Sequence, residues 1–78
     1  MKLTFDPRLN IGYLRLADAV SGVETIKISD ELSVDLTPDG KIYGIELLNA
    51  NEQLRSLLEG KLVVENEATG AVVEFTLP

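Results

Sequence analysis

The sequence predicts an α+β domain: a mainly antiparallel sheet of about six to seven short strands, with one short helix near residues 50–59. Three observations predict it. Apolar and polar residues alternate through most of the 78 residues, the period of strands with one buried face. Clusters of Pro, Asp and Gly cut that alternation into short lengths. Between Asn49 and Gly60 the apolar spacing switches once to that of a helix.

Lys2-Leu3-Thr4-Phe5 alternates and stops at the turn signal Asp6-Pro7. A second strand, 11–17, sends Gly12, Leu14 and Leu16 to one face and Ile11, Tyr13, Arg15 and Ala17 to the other. A third, 23–29, places Ile26 and Ile28 opposite Thr25 and Lys27. In the fourth, Leu32, Val34 and Leu36 alternate with Ser33, Asp35 and Thr37. Pro38-Asp39-Gly40 is a hairpin turn, because Pro presets φ and Gly accepts the left-handed conformation. The return strand, 41–48, has faces Tyr43/Ile45/Leu47 and Ile42/Gly44/Glu46, a mixture that suits a central strand covered on both sides. Asn49 with Glu52 three residues on forms a capping-box pattern. Leu54, Leu57 and Leu58 then make a helical stripe that Gly60 ends. Residues 62–65 and 71–77 read as a C-terminal hairpin, with Ala71, Val73, Phe75 and Leu77 on one face. Its Glu65, Glu67 and Glu74 discourage uncontrolled edge pairing, while its alternate apolar residues suit pairing with a symmetry mate or a partner strand.

The chain is expected to form one domain, 1–78, without linker, repeat or low-complexity tract. With 45% apolar and 26% charged residues it is too apolar for a disordered chain. No apolar run approaches the ~18 residues of a membrane span, and Met1 to Pro7 holds no signal-peptide core. The absence of Cys and His excludes disulfides, thiol catalysis and the usual zinc ligand sets. The expected setting is the cytoplasm. Thirteen acids against seven scattered bases give a net charge of −6, so no phosphate-neutralising patch for nucleic acid is expected, nor a membrane surface. A single core this small rarely supplies more than ~3–5 kcal/mol, so a homodimer or a complex with a small protein is expected.

Phe5-Asp6-Pro7, Gly12-Tyr13-Leu14-Arg15-Leu16, Asp35 and the stretch from Asp39-Gly40 through Gly44-Ile45-Glu46 to Asn49-Ala50 resemble the family catalogued as domain of unknown function 2283. The resemblance covers a family-like core of about residues 1–55; the hairpin at 62–77 lies beyond it. The stretch Leu9-Asn10-Ile11-Gly12 departs from the more acidic, Ala-rich pattern of the family. The resemblance implies a small α+β fold, a prokaryotic origin and an antitoxin-like partner role, and it implies no known activity.

Tyr13 and Arg15 share a strand face, and Glu46 stands on a strand that can neighbour theirs. As a site, they would bind a polar ligand or exchange protons; as structure, Arg15 and Glu46 would be a cross-strand ion pair. Asp35 to Glu46 matches the spacing of a twelve-residue calcium loop. However, Leu36 and Pro38 at its second and fourth positions, and strands on both flanks, make it a hairpin. Asp6, Pro7, Pro38, Asp39 and Gly40 are assigned to turns, Asp6 as an Asx-turn residue. No Ser has a His to activate it, and the six glycines never cluster into a phosphate loop. No cofactor and no catalysis are expected. The functional expectation is a small non-enzymatic interaction module, antitoxin-like or regulatory toward a small basic protein. The alternatives are a small-molecule-binding or minor catalytic domain using Tyr13, Arg15 and Glu46, and a purely structural self-associating subunit.

Overall fold

The structure, a computed structural model, describes residues 1–76. The chain runs β1 (Lys2–Asp6), β2 (Ile11–Arg15), β3 (Glu24–Ser29), β4 (Leu32–Leu36), β5 (Ile42–Leu48), α1 (Ala50–Gln53), α2 (Arg55–Leu58), β6 (Lys61–Glu65) and β7 (Val72–Thr76). It is the α+β architecture the alternation predicts, with seven strands in two sheets. One is a five-stranded antiparallel sheet in the order β1-β2-β5-β4-β3, and the other is the β6–β7 hairpin. Leu77, expected on the last strand, lies outside the described residues.

Register sorts the large sheet into two chemically distinct faces. Leu3, Leu14, Ile45, Val34 and Ile26 stand opposite one another, one from each strand, and form an apolar row across the whole sheet. On the other face the corresponding rows are Thr4-Tyr13-Glu46-Ser33-Lys27 and Lys2-Arg15-Gly44-Asp35-Thr25. An antiparallel sheet with one apolar and one wet face gives this alternation. The strand at 41–48 is indeed central, but its polar face carries no second layer of secondary structure.

The helical segment differs from the expected single helix. It is two four-residue pieces joined at Leu54, whose dihedrals of −112° and 24° leave the helical region. At that bend the Leu54 side chain sits over β2, where a Cβ on Gly12 would come within 2.7 Å of its Cδ1. The capping box does not form. Asn49 is left-handed with φ 52° and caps nothing with its side chain, and Glu52 bonds Arg55 instead. The N-terminus of α1 is capped from the β1–β2 turn. The Asn10 carbonyl accepts the Ala50 N–H at 3.1 Å, and its Oδ1 accepts the Asn51 N–H at 2.8 Å. Gln53 Nε2 donates to the carbonyls of Leu48 and Glu31, fixing α1 to the end of β5 and the β3–β4 turn.

The cover these short pieces give is small. Among the described residues Ala50 is the one buried apolar residue, and no large side chain is fully buried. Leu3, Leu14, Ile45 and Val34 are only half-buried, and Ile26 is 40% exposed. The hairpin is exposed along both strands. The four ion pairs among the described residues each join side chains two or three residues apart, all exposed except the partly buried Asp6, so they stiffen turns and the helical segment and add little long-range stability.

Candidate functional site

The polar face carries the only side-chain network that crosses several strands among the described residues. Tyr13, from β2, leans across β5 instead of standing upright. Its ring lies on Gly44, where a Cβ would come within 2.5 Å of Cζ and 2.7 Å of Cε1. Only a residue without a side chain lets the ring pass. The Tyr13 hydroxyl thereby reaches β4 and donates to Asp35 Oδ2 at 2.5 Å. Thr25 of β3 donates to the other oxygen, Oδ1, at 2.5 Å. One carboxylate thus ties together residues from three strands, across a fourth that contributes the gap. Burial of the phenol, followed by its hydrogen bond to Asp35, pushes Tyr13 above the ordinary range for tyrosine. Tyr13 is therefore a neutral hydrogen-bond donor at neutral pH.

Beside this network lies a shallow cavity of about 250 Å³ lined by Lys2, Thr4, Tyr13, Arg15 and Tyr43. Lys2 and Arg15 are direct cross-strand partners, an arrangement that repels unless a negative charge sits between them. Neither has a carboxylate within 4 Å among the described residues. Tyr43 joins this side because the register of β4 against β5 slips between Asp35 and Leu36, leaving Tyr43 as the extra residue of a bulge. Strict alternation would have put it with Ile45 and Leu47.

Of the three candidate site residues, Tyr13 and Arg15 line the cavity and Glu46 does not. Glu46 pairs with Tyr13 in register, is exposed, and stands diagonal to Arg15, whose direct partner is Gly44. No Arg15–Glu46 ion pair forms within 4 Å; the one-step offset in register separates the two. Lys2, Thr4, Thr25, Asp35, Gly44 and Tyr43 belong to the same face and were not expected at the site with Tyr13 and Arg15, because nothing in period two says which strands adjoin or where a bulge falls. Asp35 and Glu46 leave the β4–β5 turn on separate strands, and Asp35 is engaged by Tyr13 and Thr25.

The turn residues sit in turns. Asp6 Oδ1 accepts the Arg8 backbone N–H at 2.9 Å across Pro7, and the Arg8 guanidinium grips the same carboxylate. The Arg8 hydrogen bonds hold Asp6 below the usual carboxylate range. At Pro38-Asp39-Gly40, Gly40 has φ 85° and donates its N–H to the Thr37 carbonyl at 2.9 Å. No group of acids among the described residues is placed to hold a metal ion, and no helix is long and apolar enough to cross a membrane.

No curated protein and no solved structure matches the chain significantly. Residues 2–51 match the family described as Protein of unknown function (DUF2283). The match takes in the whole five-stranded sheet with its Tyr13–Gly44–Asp35 network and the start of α1, and leaves the hairpin outside. With most of its length matched, the chain belongs to the DUF2283 family.

Proposed function

We propose that this chain is a non-enzymatic protein-interaction module whose docking surface is the incompletely covered apolar sheet face together with the C-terminal hairpin. The observation that carries it is the missing cover over apolar residues. A compact monomer of 8.5 kDa exposes about 4,700 Å² by the usual scaling with mass, and this chain exposes 5865 Å². Large apolar residues stand in this surface, among them Ile26, Ile28, Ile42, Val64, Val73 and Phe75, all at least 40% exposed. Surfaces of that kind associate. The remaining surface follows the net charge of −6 and favours a small basic protein as an additional partner, in an antitoxin-like or regulatory arrangement. Amide exchange checks the reading. Residues 61–76 are expected to exchange fast in the dilute chain and to gain protection on association. Equally fast exchange at every concentration, and in complexes isolated from the source cells, sinks it.

The unpaired Lys2 and Arg15 favour a second reading, capture of a small anionic ligand in the cavity between Thr4, Tyr13 and Tyr43. Titration with inorganic phosphate at millimolar concentration is expected to shift the Thr4 and Arg15 amide resonances, and Arg15→Gln to abolish the shift. Unchanged resonances, or equal shifts in the variant, remove this reading.

A further inference from the structure

We infer that two copies of this chain exchange their C-terminal hairpins, each hairpin lying with its apolar side on the part of the other copy's apolar sheet face that the short helices leave open. The inference rests on the interaction reading above and names the first partner as a second copy.

The hairpin requires a surface. An isolated two-stranded hairpin is marginal in water, and stability needs a third strand or an apolar packing partner. Register puts Leu62 opposite Phe75 and Val64 opposite Val73, so one side of the ribbon is wholly apolar. The acids are on the other side, where Glu74 faces Val63 and Glu65 faces Val72. Docking the apolar side therefore buries no carboxylate, which matters for two chains carrying −6 each.

Its own sheet does not receive it. Only Glu59 and Gly60 connect α2 to β6, and Gly60 turns the chain with φ 93°. The hairpin contacts α2 and makes no substantial contact with any strand of the large sheet, so it projects. The radius of gyration is 14.2 Å, against about 11.5 Å expected for a compact chain of this length. The large sheet meanwhile offers the row Leu3-Leu14-Ile45-Val34-Ile26 with none of the five buried.

Number and size agree. Each chain carries one uncovered ribbon and one sheet face that its short helices cover only in part, and a two-fold axis that satisfies one pair satisfies the other and closes the assembly. The surface exposed beyond the compact-monomer value, roughly 1,200 Å², exceeds the ~800 Å² each partner buries in a standard stable interface. An exchanged dimer thus accounts both for the projecting ribbon and for the unfilled core.

The chain has no native Cys, so introduced thiols are unambiguous. A Val73→Cys chain mixed with an Ile26→Cys chain is expected to form a mixed disulfide pair in preference to either self-linked pair. Light scattering of the unmodified chain should give twice the 8.5 kDa chain mass. Phe75→Ser should weaken the dimer by about tenfold or more, as loss of a central aromatic anchor does. Ile26→Lys, which leaves the hairpin intact, should do the same from the receiving side, while Glu74→Gln should leave the dimer unchanged. A double mass with no mixed link and no weakening by Phe75→Ser or Ile26→Lys overturns the exchange and leaves the interaction reading standing on another face. A single-chain mass at all concentrations also overturns it, and protection of residues 61–76 in native complexes then decides the interaction reading separately.

Discussion

Gly44→Ala is expected to destabilise the domain by roughly 3 kcal/mol and to unseat Tyr13. At an open strand position the same change helps by about 0.5–1 kcal/mol, because glycine loses more backbone freedom on folding than alanine. Here the new methyl falls within the Tyr13 ring, 2.5 Å from Cζ. Overpacking of this kind costs about 1–3 kcal/mol, and losing a hydrogen bond to a charged group about 1.5–3 kcal/mol, with part of the first relieved when the ring swings away. In a domain whose core supplies only ~3–5 kcal/mol, that is most of the stability. Chemical denaturation measures it. A Tyr13→Ser background supplies the control: without the ring, Gly44→Ala should be neutral or slightly stabilising, and an equal cost in both backgrounds sinks the ring-contact account. Phenolate absorbance is a second readout. A raised phenol means that the folded state favours the neutral form, so its contribution is complete below the ordinary tyrosine value of about 10 and fades as pH rises above it. Unseating Tyr13 should bring its ionisation back toward that ordinary value and remove this part of the alkaline destabilisation. Gly12→Ala is the milder comparison, because its methyl meets the movable Cδ1 end of Leu54.

The same two glycines mark how far the sequence could be read. Alternation assigns nearly every residue of β1, β2 and β4 to its observed face, and the turn at Pro38-Asp39-Gly40 is written in residues that only a few backbone conformations accept. Face assignments become contacts only when register is known. Tyr13 and Arg15 were visible as a pair on one side of β2, but the neighbours that matter, Lys2, Asp35 and Gly44, depend on which strands adjoin and at what offset. Tyr43 changed sides through a bulge at Asp35/Leu36, a local irregularity that leaves no mark in periodicity. The hairpin shows the opposite case. Its strands were evident, and its separation from the large sheet was not, because the same apolar alternation serves a strand covered by its own chain and one covered by another. The helix begins where expected, but the expected cap was local, and the actual one comes from Asn10, 41 residues before the Asn51 whose N–H its side chain accepts.

Asn10→Ala follows from that distant cap, with an expected loss of about 2 kcal/mol. Two separate contributions make it up. Asn10 has φ 56°, a left-handed conformation that costs an ordinary side chain roughly 1–2 kcal/mol and that Asn tolerates. Its Oδ1 also accepts the Asn51 N–H, and its Nδ2 donates to Asn51 Oδ1 at 2.6 Å; removing such a cap costs typically about 1 kcal/mol. Asn10→Gly separates the two. Glycine accepts the backbone conformation and keeps the carbonyl bond to the Ala50 N–H, so only the side-chain part is lost and the cost should fall by about half. Glu52→Ala should be nearly silent, since Glu52 bonds the exposed Arg55 and no cap. If the Asn49–Glu52 pattern were the true cap, the order would invert, with Glu52→Ala costly and Asn10→Gly harmless. Denaturation of the three variants, with amide exchange at Ala50 and Asn51, decides between the orders. Among the described residues Ala50 is the one buried apolar residue, and it packs beside Gly12. Loosening its end of α1 therefore removes the small cover this sheet possesses within its own chain, and the Asn10→Ala variant should depend more than the unmodified chain on association for its stability.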